Sequence, residues 1–197
     1  MSHTSSFAGW CRGRVLSVAA AAGIAVGLAV LGGSAISAQD KYTVQVPNGL
    51  ALAECRGYES WQLISISQNG PLVAAIMGNP AMIEAYQAGI PANGKPVPDG
   101  AKMAKIHWQP TKKQTYPGPP TVASALVNVD CMTKDSKRFA DSGGWGYGAF
   151  DYDAASDTFK PADETATPPQ GHDAKCGFGC HTVVKARDYV FTEYAQR

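Results

Sequence analysis

Between residues 60 and 77 the apolar and polar positions are arranged in two ways, and each predicts a strand. Over 61–67, Trp61, Leu63 and Ser65 fall on one side of a period-two pattern and Gln62, Ile64 and Ile66 on the other. Residues 72–77 are a continuous apolar run, and Asn69-Gly70-Pro71 between the two segments is a turn signal, so an antiparallel pair is expected. Asn79 then stands where a helix N-cap belongs, with Pro80 at the first helical position. Met82, Ile83, Ala85 and Tyr86 carry that helix to a stop at Gly89, and its apolar residues are expected to pack on the sheet.

A Pro- and Gly-rich loop leads to a strand over 101–108, where alternation sets Met103, Lys105 and His107 against Lys102, Ala104, Ile106 and Trp108. Neither face is cleanly apolar. Residues 112–120 read as a loop, 121–132 as a strand, 134–140 as a short helical stretch and 141–144 as a turn. A strand follows over 145–152, in which Gly146 and Gly148 either leave room for something flat or mark a bulge. Residues 153–171 are polar and rich in Asp, Thr and Pro, which predicts a long surface loop. The segment 182–197 is amphipathic, with Val190, Phe191 and Tyr194 among the residues available to cover a cofactor or close the core.

Residues 1–38 change the picture of where this domain works. Arg12 and Arg14 precede an apolar run that ends in small residues at Ala38, the form of a secretory signal, with a retained membrane anchor as the alternative. Cleavage after Ala38 would leave one domain over 39–197, facing an oxidising compartment that in a bacterium is the periplasm. It would remove Arg12 and Arg14 and no acid, taking the formal charge from +1 to −1. A near-neutral surface argues against nucleic acid, and against a membrane once the signal is gone.

The candidate chemistry lies at Cys176-Gly177-Phe178-Gly179-Cys180-His181. Two thiols followed at once by an imidazole is the pattern of c-type haem attachment, in which the cysteines add to the haem vinyl groups and the histidine becomes an axial ligand. Three residues separate the thiols where two are usual, and the two glycines give the loop freedom to bulge around the extra one. The alternative is a pair of ordinary thiols or half-cystines beside a chance histidine. If Cys176 and Cys180 carry haem, Cys55 and Cys131 remain as an even pair suited to a disulfide, while a Cys176–Cys180 bridge without haem stays open on counting alone. His172 is either a second axial ligand or a surface histidine.

Taken together, PDGAKMAKIHW (98–108), KDSKRFADSGGWGYGAF (134–150) and CGFGCHTVVKARDYVFTEY (176–194) resemble the cytochrome P-460 family, periplasmic c-type haem proteins related in fold to cytochrome c′-beta. The resemblance implies an α+β fold, an antiparallel sheet with a few flanking helices, and a homodimer. It implies haem c held by Cys176 and Cys180, with His181 as the iron's protein ligand, and a covalent bond from Lys105 to the edge of the macrocycle. Lys102 is the other lysine nearby, but alternation turns it the opposite way. The implied activity is oxidation of hydroxylamine at an open iron position, with nitric oxide-level species bound there and electrons passed to a soluble electron-transfer protein. A cytochrome c′-beta-like protein that binds nitric oxide or transfers electrons without the lysine bond is the alternative, and a haem-free, disulfide-tied domain is a third. For the proton acceptor that such chemistry needs, Asp130 and Glu84 lie in segments able to approach the pocket, yet both read as surface carboxylates.

Overall fold

The computed structural model describes residues 40–46, 49–162 and 177–197. The signal-like segment, Cys176 and His172 therefore lie outside the described residues. Six strands form one antiparallel sheet in chain order: β1 (Gln62–Asn69), β2 (Leu72–Gly78), β3 (Lys102–Lys112), β4 (Thr121–Lys134), β5 (Trp145–Asp153) and β6 (Thr158–Pro161). Two short α-helices, α1 (Pro80–Gln87) and α2 (Gly177–His181), complete an α+β architecture. No helix of the described residues is long and apolar enough to cross a membrane.

The local signals act as expected around α1. The Asn79 side chain accepts from the Met82 amide at 3.1 Å, Pro80 opens the helix, and Gly89 ends it with φ at 78°. Met82 and Ile83 are buried on the sheet side, while Glu84 is exposed and is the surface carboxylate expected.

Period-two geometry divides the core in two, because successive side chains of a strand point to opposite faces. On one face Ala104, Ile106, Val129 and Phe150 meet an N-terminal arm carrying Val46, Leu50, Leu52 and Tyr58. That arm is joined to β4 by a Cys55–Cys131 disulfide, with Cα atoms 6.4 Å apart. On the other face Ile76, Met103, Trp145 and Tyr147 meet α1 and the segment after α2, of which Tyr189 and Val190 are buried. The tail beyond it lies along the free edge of the sheet: the Ala195 amide donates to the Ile64 carbonyl at 3.1 Å, and the Tyr86 hydroxyl donates to the Thr192 carbonyl at 2.9 Å.

Three expectations need correction. Residues 134–139 are not helical: Lys134 ends β4, a turn follows in which the Asp135 carboxylate accepts from the Lys137 and Arg138 amides, and only Ala140, at the start of a 3-10 turn (Ala140–Ser142), is helical. The turn's purpose is visible in Phe139, which it delivers fully buried to the arm-side core. The polar segment after 152 contains a strand, β6, whose Phe159 is buried against Tyr152 on the arm side. Gly146 and Gly148 neither bulge the strand nor open a flat slot for a cofactor, because β5 pairs with β4 without interruption and the two glycines face Leu50. A Cβ on Gly146 would lie 2.4 Å from the Phe139 ring and 2.9 Å from the Leu50 side chain. Gly146→Ala is therefore expected to overpack this core and cost about 1–3 kcal/mol of stability, read as a lowered urea midpoint at unchanged m-value.

Candidate functional site

On the face away from the arm, β2 to β5 and the α2 segment enclose a cavity of about 330 Å³, within the range of small-molecule and cofactor sites. Alternation along β3 brings Met103 and Lys105 to it and turns Lys102 away, where its ammonium donates to the Glu54 carbonyl at 2.6 Å. Lys105 and His181, expected at the site from the sequence, thus line one cavity, and Cys180 lines it too as a free, exposed thiol.

Helix α2 holds His181 at its C-terminal end. It lies close against β5: a Cβ on Gly177 would sit 2.5 Å from the Cβ of Tyr147, whereas one on Gly179 would meet nothing within 4 Å. The glycines expected to bulge a loop therefore lie in a helix, and only Gly177 answers to a close approach. The His181 ring packs between Tyr147, with centroids 5.1 Å apart, and Phe191, at 4.9 Å. Its Nδ1 is 2.7 Å from the Tyr189 carbonyl oxygen. A carbonyl can only accept, so Nδ1 carries the proton and Nε2 keeps its lone pair. Burial lowers the His181 pKa, opposed by the Tyr189 carbonyl and reinforced by Lys105, so at neutral pH the ring is uncharged.

Asp130 is the residue that reading the sequence left out. It is the β4 partner of Lys105 in the register, and it faces the cavity. The Asn128 amide donates to its Oδ1 at 3.3 Å, and its Oδ2 is 3.7 Å from Nδ1 of His107. Its side chain keeps 40% of its surface accessible on the cavity side, yet protein packed around it pushes the carboxyl up to about 6; Lys105 opposes that shift and Asp151 adds to it. Burial and Lys105 together lower the His107 pKa, so the imidazole beside Asp130 is neutral. Tyr147 was also missed: its buried hydroxyl has no hydrogen-bond partner among the described residues, and burial raises its pKa. The signal that could have found Asp130 is the register of the β3–β4 pair, which places it directly across from the lysine.

These residues fit a haem. One neutral imidazole with a free Nε2, an exposed thiol just before it, apolar walls and an orphaned tyrosine hydroxyl are a donor set for a macrocycle that brings its own equatorial nitrogens. No group of three His, Cys, Asp or Glu that could hold a bare metal ion occurs among the described residues. Fold and site together define a haem cytochrome. The chain belongs to the cytochrome P-460 family, whose model matches residues 55–192. Comparison with curated proteins finds no match.

Asp130 ties stability to pH. Its carboxyl binds a proton more tightly in the folded chain, at about 6, than a free aspartate does at about 3.9, so its contribution favours folding at low pH and is lost as pH rises through 6. Asp130→Asn is expected to be more stable than the parent at pH 7–8, with the gap closing below pH 4, in urea unfolding across that range. Because part of the side chain is accessible, the gain is expected to be only a fraction of what the full shift would give.

Proposed function

We propose that this protein is an exported, periplasmic c-type cytochrome that oxidises hydroxylamine. The observation that carries the proposal is the meeting of Lys105 and His181, far apart in sequence, on one cavity beside Cys180. Bound haem would supply an iron able to take up electrons and to hold a small nitrogen-oxygen ligand at its open position. In this reading His181 ligates through Nε2, and Cys176 and Cys180 anchor the macrocycle by thioethers. Lys105 reaches its edge from β3 and bonds there, a role suited to an amine held in a largely apolar cavity.

Hydroxylamine oxidation releases protons, and Asp130 supports the reading because its Oδ2 can accept one near neutral pH while the Asn128 amide holds the carboxylate in place. Electrons would leave to a soluble electron-transfer protein, and by family likeness the working form would be a homodimer. A second reading, nitric oxide binding or electron transfer without the lysine bond, draws support from the apolar walls of Met103, Met132 and Phe191.

The reduced protein, made with haem-attachment machinery present, is expected to show a broad, strongly red-shifted main band. Lys105→Ala should return it to an ordinary c-type spectrum, and an identical spectrum in that variant would rule out the lysine bond. Asp130→Asn is expected to keep the parent spectrum while hydroxylamine turnover falls by roughly 10²-fold or more.

A further inference from the structure

The carbonyl that fixes the His181 tautomer stands in an unusual piece of backbone. Asp188 and Tyr189 are consecutive non-glycine residues in the left-handed region, with φ at 48° and 64°. A bulky residue such as tyrosine stays there only where its surroundings determine it. Here they do so at every polar atom of Asp188. Its carboxylate accepts from the Lys134 ammonium at 2.8 and 2.9 Å and from the Val97 amide at 2.7 Å. Its carbonyl accepts from the Trp145 indole at 2.8 Å, and its amide donates to the Lys185 carbonyl at 3.0 Å. Lys134 is itself almost fully buried, with 5% of its side chain accessible, and its third contact is the Gly143 carbonyl at 2.9 Å. The Tyr189 ring then lies against Gly143, where a Cβ would come within 2.1 Å of it. With the ring and both flanking residues held, the Tyr189 carbonyl is left facing Nδ1 of His181 at 2.7 Å.

A buried ion pair is poor evidence for stability alone, since apolar residues of the same volume often do as well. Its place in this chain of contacts gives it another use. We propose that Lys134 and Asp188 are positioning residues for the haem ligand: the pair locks the left-handed turn at 188–189 so that the Tyr189 carbonyl accepts from His181 Nδ1, which keeps the proton on Nδ1 and strengthens Nε2 as a donor to iron. The proposal rests on the reading of His181 as the axial ligand. Histidine ligands are commonly tuned through the partner of their second nitrogen, and a stronger Nδ1–H bond makes the ring more basic and favours the oxidised metal.

The test is the midpoint reduction potential of the haem-loaded protein, measured beside its melting temperature. Asp188→Ala removes the anchor and a residue tolerant of the left-handed region, and Lys134→Met removes the cation; both are expected to shift the potential upward. Asp188→Asn keeps the acceptor oxygen and the left-handed tolerance and should recover much of the parent potential. Ile83→Ala, which loosens the same core without touching this chain, should lower the melting temperature and leave the potential unchanged. If the first two variants fail to fold, the loss of charge in Asp188→Asn still predicts a small upward shift and faster exchange of the His181 Nδ1 proton in the diamagnetic ferrous carbonyl form. Asp188→Ala and Lys134→Met proteins that melt early at the parent potential would overturn the proposal; where those two do not fold, an Asp188→Asn protein with parent exchange of the Nδ1 proton would do so. His181→Ala separates it from the reading beneath it: a parent spectrum and potential in that variant would overturn the ligand assignment itself.

Discussion

The pairing of β3 with β4 is the constraint on which the rest of the molecule depends. In this register Lys105 stands opposite Asp130 and Ala104 opposite Cys131, so one step along the ladder separates the cavity from the disulfide-linked core. Side chains alternate with a period of two, and a slip of a single residue in either strand would carry Lys105 into the arm-side core and Cys131 into the cavity. Each strand resists such a slip in its own way: the Cys55–Cys131 bond fixes the parity of β4 covalently, and burial of Ala104 and Ile106 fixes that of β3.

Much of this was legible where one rule acts over several residues. The side on which Lys105 faces followed from alternation, because β3 holds its period through the residues that matter, and α1 followed from Asn79, Pro80 and Gly89. The failures came where a residue's environment is set from another part of the chain. Asp130 read as a surface carboxylate because a lone aspartate in a strand gives no sign of which face its partners bury. The glycines of β5 looked like space for a porphyrin, yet what fills that space is Phe139 and Leu50, brought from a turn and from the arm. The turn itself passed for a helix, since Asp135 caps a turn by the same side-chain bonds with which it would cap a helix.

The cavity sorts its chemistry along the sheet. Rows at the Tyr147 end are apolar, with Met103 paired to Met132 and Tyr147 beyond it, and the next rows carry Lys105 with Asp130 and then His107 with Asn128. A flat ligand lying across these rows would meet apolar walls at one edge and titratable groups at the other. The same lysine opposes the rise of the Asp130 pKa and contributes to the fall at His107 and His181.

The wall that carries His181 also follows the whole sheet in chain order. During synthesis a chain emerges from its N-terminal end, so the strands and the arm can assemble while 177–197 is still arriving, and the cavity is then a groove open along one side. Docking of Tyr189 and Val190 then closes that side and leaves Cys180 exposed. The same docking lays the tail along β1, where the Ala195 amide occupies the edge carbonyl of Ile64. Closing the groove and covering a sheet edge that would otherwise invite another strand thus become one event.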